Sequence, residues 1–184
     1  MGKQYEAIDG RLREWILSQP VVFVATAPLS GDGHVNVSPK GGRGTVVVLD
    51  ETTVAYLDYT GSGVETIAHV RENERITLMW CAFSGPPKIV RVHGRGSVVR
   101  PGDPSWESLA SAFGADVDAP GVRAVVVVRA ERISDSCGYG VPLMELKSDR
   151  DVLGLWAEKK GRDGIAEYQQ QKNAASIDGL PGLP

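Results

Sequence analysis

The sequence predicts a mainly β fold, with six or seven antiparallel strands that curl into a small closed barrel and helices at the periphery. Three observations predict it. β-Branched runs with period-two alternation recur along the chain. They are short and joined by tight turns, which favours antiparallel pairing over βαβ units. There are enough of them to close on themselves, which removes exposed edges. A length of 184 residues suits one domain with an appendage, and at this size roughly two-thirds of the unfolded chain's surface goes inside.

The elements follow in order. Ile8, Leu12, Trp15 and Ile16 form one apolar stripe at helical spacing, and Pro20 ends that helix. Val21–Thr26 reads as a short buried strand. Gly31-Asp32-Gly33 is a turn signal, and His34–Ser38 alternates polar and apolar. Gly41-Gly42 breaks the pattern. Thr45–Leu49 and Thr53–Asp58 are two strands around the Asp50-Glu51 turn. The period then changes. Thr60-Gly61-Ser62-Gly63 opens a helix whose apolar face is Val64, Ile67, Ala68 and Val70, ending at Arg71-Glu72-Asn73. Arg75–Ala82 returns to strand, and Lys88–Arg100 is a long alternating one. Pro101–Phe113 reads as a short helix capped by Asp103, with Pro104 at its first position. Val122–Ile133 is the last long strand. From Asp149 the chain reads as one or two helices around Gly161, ending in an irregular Ser176–Pro181. We therefore expect a barrel domain over residues 1–134 and a helical extension over 135–184, packed on the barrel or on a partner subunit.

Composition narrows the function. Apolar residues make up 42% and charged residues 23%, and the net charge is −3. A mildly acidic chain argues against a dedicated nucleic-acid binder, because phosphate neutralisation needs a basic surface. Cys81 and Cys137 are too few for a disulfide framework and lack CxxC spacing, so reduced thiols are expected. The N-terminus has no apolar h-region, and Glu6 stands where a myristoylation motif needs Ser or Thr. No apolar run approaches the roughly 20 residues that span a bilayer. A cytoplasmic protein that avoids membranes is the expectation.

The chemistry concentrates at Tyr59–Thr66, where strand passes to helix. Helix N-termini leave unpaired N–H groups and a positive dipole end. Glycines let the backbone approach an anion, and hydroxyls add donors, so Tyr-Thr-Gly-Ser-Gly suits a phosphate. It is neither a P-loop nor a dinucleotide fingerprint, and a plain N-cap would look the same. Asn36, Ser38 and Lys40 recur at period two on an earlier strand. An amide, a hydroxyl and an ammonium on one face suit a planar polar ligand with a phosphate tail. An exposed strand face with a surface lysine is the alternative.

Together, Val-Asn-Val-Ser-Pro-Lys-Gly (35–41), Ala-Tyr-Leu-Asp-Tyr-Thr-Gly-Ser-Gly (55–63) and the run from Cys81 to Gly96 resemble the pyridoxamine 5′-phosphate oxidase-like FMN-binding split-barrel family, over about residues 15–133. The resemblance implies an antiparallel split β-barrel of the FMN-binding type and a homodimer with FMN at the subunit interface. It places Asn36, Ser38, Pro39 and Lys40 along the flavin, Tyr59, Thr60 and Gly61 beside its chain, and Ser62, Gly63 and Thr66 at the phosphate. Classical oxidases of that family carry Ser-Arg-Lys at the helix start; this chain has Val64-Glu65-Thr66. Glu65 would repel a dianion, so backbone amides, hydroxyls, Lys40 and Arg91 or Arg95 are expected to replace the missing charge. The departure also opens the deazaflavin F420 and haem as alternative cofactors, since the wider superfamily uses all three.

The remaining candidates carry less. Glu65 and His69 share a helix face, but two ligands do not make a metal site. His93 lies between Arg91 and Arg95 and would be an axial ligand if haem bound; as an ordinary barrel residue it needs no such role. Trp15, Trp80, Trp106 and Trp156 suit the core, with Trp106 and Trp156 also able to cap a flavin. No Gly-x-Ser-x-Gly elbow is present. The function expected is an FMN-dependent oxidoreductase acting on a small molecule, with no named acid–base residue; the alternatives are a non-enzymatic flavin or haem binder and an F420-dependent reductase.

Overall fold

The computed structural model describes residues 2–183. Met1 and Pro184, which close the two expected domain ranges, lie outside the described residues. After a two-residue strand β1 (Gln4–Tyr5), helix α1 (Gly10–Ser18) starts at Asp9, whose side chain accepts from Leu12 N at 2.8 Å. α1 buries Leu12 and Ile16 and stops at Gln19, before Pro20. Strands β2 (Val21–Thr26), β3 (Asn36–Gly41), β4 (Val46–Asp50) and β5 (Thr53–Tyr59) follow. Helix α2 (Glu65–Asn73) crosses to β6 (Arg75–Cys81) and β7 (Ile89–Val99). A one-turn helix α3 (Trp106–Ala110), the long β8 (Val122–Ser136) and α4 (Val152–Lys172) complete the chain.

Every strand pairing is antiparallel, in the order β3-β2-β6-β7-β8-β5-β4, with β1 added beside β8. The predicted mainly β split barrel is therefore the observed architecture. The sheet curls until its two ends approach, and its concave side holds the main core. Val22 and Val24 of β2, Tyr56 of β5, Leu78 and Trp80 of β6 and Val92 of β7 meet there, and α1 inserts Leu12 and Ile16 from one end. A second cluster lies on the convex side. Ala55, Leu57, Val122 and Val125 are covered there by Trp106 and Ala110 of α3.

Glycine is required where the β7–β8 ladder slips. The β7–β8 register slips between His93 and Gly94, and a side chain at Gly94 would strike the Arg129 carbonyl. Three elements differ from expectation. β1 is too short to show a period. β3 starts at Asn36 rather than His34, because Asp178 holds both the His34 backbone N–H (2.7 Å) and its ring (2.6 Å). The helix expected over Pro101–Phe113 shrinks to five residues; Asp103 accepts from Arg100 N instead of capping it. α4 is two helical stretches that meet at a kink at Gly161, whose φ of 68° and ψ of 173° are non-helical.

Candidate functional site

The site begins at the seam between the sheet's two ends. Asn36, Ser38 and Lys40 of β3 share a face, as their spacing requires, and that face points into the barrel. Asn36 Nδ2 donates to Thr26 Oγ1 (3.2 Å) and Thr66 Oγ1 (3.0 Å), and Ser38 Oγ donates to Asn36 Oδ1 (3.1 Å). Thr26 Oγ1 also meets His69 Nδ1 at 3.0 Å. Burial keeps the His69 imidazole below its ordinary pKa, despite the nearby Asp178, Glu65 and Glu72 carboxylates.

Lys40 reaches further. Its ammonium donates to Asp58 Oδ1 at 2.8 Å, and Arg123 Nε donates to the other carboxylate oxygen, Oδ2, at 2.6 Å. Asp58 has no exposed side-chain surface, Arg123 has 4% and Lys40 20%. Burial alone would raise the Asp58 carboxyl, but the Lys40 and Arg123 charges outweigh it and hold the group below the usual carboxylate range. One carboxylate thus bridges two cations, and the cluster keeps one surplus positive charge. Arg123 is also committed elsewhere: Nη1 donates to the Gly63 carbonyl (3.0 Å) and to Asn173 Oδ1 (2.9 Å).

The Thr60–Thr66 corner is covered by the end of the chain. Thr60 is fully buried and accepts from Gln169 Nε2 at 2.8 Å. Asn173 Nδ2 donates to the Gly61 carbonyl at 2.9 Å. Leu183 packs against Val64 and Ile67, and Arg71 donates to the Gly182 carbonyl. The Glu65 carboxylate folds back over Gly63, where a Cβ would strike it, and accepts from Ile177 N at 3.3 Å. Where sequence reasoning expects an open cradle at Thr60, Gly61 and Gly63, the structure has the protein's own groups on the hydroxyl and both carbonyls. Ser62 stays exposed, Tyr59 half-buried, and Thr66 is buried with Asn36.

The open space lies on the other side of Lys40. A cleft of about 1210 Å³ runs between the end of α1, β2, the β3–β4 turn and the segment 144–149. Trp15, Phe23, Phe83 and Met144 give it an apolar wall. Lys40 and Arg43 bring positive charge, and Glu145 and Asp149 bring negative. The turn Gly41-Gly42-Arg43-Gly44-Thr45 needs its glycines: Gly42 takes φ 102° and Gly44 φ 74°. Thr45 Oγ1 ties the turn down by donating to the Gly42 carbonyl at 2.8 Å.

Arg91 and Pro39 stand apart from the corner. Arg91 lies on the outer face of β7 and donates to Ser136 Oγ at 3.1 Å; Pro39 is exposed on the outer face of β3. Arg95 pairs with Glu131 at 2.8 Å on the surface, and His93 Nδ1 meets Thr77 Oγ1 at 3.3 Å. Trp80 and Trp106 are core, and Trp156 stacks edge-on against Tyr168 at 5.1 Å. Among the described residues no group of three or more His, Cys, Asp and Glu side chains could hold a metal, and no helix is long and apolar enough to cross a membrane. Sequence reasoning missed Asp58, Arg123 and Asn173. A signal existed for the first two: each is a lone charge in a run of strand residues otherwise fit for burial.

Comparison with known proteins adds three findings. The family model described as pyridoxamine 5′-phosphate oxidase matches residues 8–137. The pyridoxamine 5′-phosphate oxidase family protein ustO of Aspergillus flavus is 42% identical over 193 residues, covering 97% of this chain and 77% of that protein. Among solved structures, HupZ of group A Streptococcus aligns with a TM-score of 0.52 at 22% identity, over 68% of this chain and 91% of HupZ. A Clostridium acetobutylicum protein related to general stress protein 26 aligns with a TM-score of 0.50 at 14% identity, over 76% of this chain and 92% of its own. At these identities the two structures speak to fold alone.

Proposed function

Because the chain belongs to the pyridoxamine 5′-phosphate oxidase family, we propose that it binds a flavin, FMN, and works as an oxidoreductase on a small molecule, with two protomers pairing around the cofactor. The observation that carries the reading is the cleft at Lys40: an apolar aromatic wall ending in a cationic, glycine-rich turn. Its 1210 Å³ exceeds the roughly 300–1,000 Å³ of typical ligand sites. A phosphate is disfavoured at the Thr60–Thr66 corner, where Thr60 is buried and the Glu65 carboxylate lies over Gly63. The Lys40 end of the cleft, where the cluster keeps its surplus charge, suits it better.

In this reading Lys40, with Arg43 and the turn amides, holds the anionic end. Trp15 and Phe23 offer an apolar surface to the ring and exclude water from one side of it. Asn36, Ser38 and Thr66 act one layer further in, fixing β3 against α2 so that Lys40 has a rigid base. When bound, FMN supplies the electron or hydride transfer; the protein supplies position and surroundings. Val37 on the outer face of β3 (61% exposed) and Val35 just before that strand (71%) offer a fitting surface for the second protomer.

The test is direct. Purified protein should be yellow, or become so with added FMN, bind FMN more tightly than riboflavin, run as a dimer, and lose its flavin colour on anaerobic reduction by NADPH or NADH. Protein that takes up no flavin overturns the reading. A Soret band would replace it with haem, uptake of F420 with a deazaflavin enzyme, and bound flavin that no nicotinamide bleaches with a carrier.

A further inference from the structure

We propose that Arg123, buried where no ligand reaches it, is the residue that leaves Lys40 free to recognise an anionic group in the cleft. The inference rests on the reading of the cleft given above. The juxtaposition that carries it is the carboxylate bridge. Asp58 offers one oxygen to Lys40 at 2.8 Å and the other to Arg123 at 2.6 Å. Without a second cation, Lys40 and Asp58 would form a neutral pair. The ammonium's charge would then be cancelled at its own position, and a phosphate arriving from the cleft would meet no net attraction. With Arg123 present the carboxylate is shared, and the surplus charge belongs to the only member with appreciable access to solvent, at 20% against 0% and 4%.

Arg123 can play this part because it cannot turn to the ligand itself. Nε is held by Asp58, Nη1 is held by the Gly63 carbonyl and Asn173 Oδ1, and the side chain is 4% exposed. The arrangement also resolves an oddity of the sequence, a helix start with Glu65 and no cation. Positive charge comes instead from β8, fixed from behind and delivered to the cleft through a strand lysine. Arg123 is thus a positioning residue for the anion, not a contact.

The experiment compares FMN with riboflavin by flavin fluorescence titration of the purified full chain, so that the phosphate alone distinguishes the probes. Wild type should prefer FMN, and Lys40→Ala should abolish the preference. Arg123→Gln should lower the FMN-to-riboflavin preference about tenfold, the size of one unit charge felt across several ångströms at an intermediate effective dielectric. Arg123→Lys, which keeps the charge, should retain it. Asp58→Asn with Arg123→Gln removes both buried charges, leaves Lys40 unopposed, and should restore the preference. If Arg123→Gln fails to fold, Asp58→Asn against that double variant reads the same charge: the single variant should show the larger preference. A preference indifferent to the charge at position 123 overturns the inference while leaving the cleft reading intact. Loss of the preference in Arg123→Gln with no recovery in the double variant also overturns it. Wild type that binds FMN and riboflavin equally overturns both.

Discussion

Asn173 is where the end of the chain grips the barrel, and replacing it with Ala tests that grip. The side chain has no solvent exposure. Its amide nitrogen donates to the Gly61 carbonyl at 2.9 Å, and its oxygen accepts from the Arg123 guanidinium at 2.9 Å. Alanine removes both bonds at once. It leaves a carbonyl at a half-buried glycine, where water can partly relieve it, and a charged donor at a buried arginine, where water cannot. An orphaned neutral group costs about 1–3 kcal/mol and a hydrogen bond to a charged group contributes about 1.5–3 kcal/mol. With water offsetting part of the first, the expected loss is about 3 kcal/mol. For a chain of this size that corresponds to a fall of about 6–12 °C in Tm. Urea unfolding should show the midpoint moving with the slope unchanged. Gln171→Ala is the control: its side chain accounts only for an exposed bond to Glu167, and surface changes of that kind stay within about 0.5 kcal/mol. A loss below about 1 kcal/mol for Asn173→Ala would refute the claim that this residue ties the chain end to the barrel.

Three further outcomes follow from the same structure. Lys40→Ala should weaken FMN by about 1.5–3 kcal/mol, the strength of a charged hydrogen bond, and leave riboflavin nearly unchanged in a fluorescence titration; equal weakening of both would place the phosphate elsewhere. Gly94→Ala should cost at least about 1–3 kcal/mol through overpacking against the Arg129 carbonyl, read as a lower urea midpoint. Stability should decline as pH falls below about 6.5, the ordinary histidine value, because burial holds the His69 and His93 rings below it. The unfolded chain then takes up protons first, so the stability present above that value is lost progressively as pH falls toward the folded-state values. His69→Gln should shrink the drop between urea midpoints measured at neutral and at mildly acid pH; an unchanged drop would remove His69 from the account.

How much of this could be read from the chain depends on the range of the interaction. The strands of the barrel were legible because alternation and turn residues are local. So was the shared face of Asn36, Ser38 and Lys40, since a strand has a fixed period. Which way that face points was not. Burying the apolar set would have put Val35 and Val37 inside, yet Val37 is 61% exposed and Asn36 is turned inward. The seam of the barrel closes on hydrogen bonds and one shared carboxylate rather than on aliphatic packing, and a one-residue change of register is all that separates the two patterns. The α4 helix was legible from its composition, with Gly161 as its interruption. Its destination was not, because Gln169 and Asn173 find partners 109 and 112 residues away. Arg123 stands out as a charge at the head of a valine run, but only the fold reveals that Asp58 is its counterpart.

The covered corner has a consequence for how the molecule comes into being. Every strand precedes residues 169–183 in the chain, so during synthesis the sheet can be complete while the ribosome still holds back the groups that cover Thr60 and engage Arg123. For that interval the buried ion cluster is hydrated on one side and the turn at Gly61–Gly63 is bare. The nascent barrel therefore presents a different surface from the finished one, and residues 169–183, made after every strand, seal it.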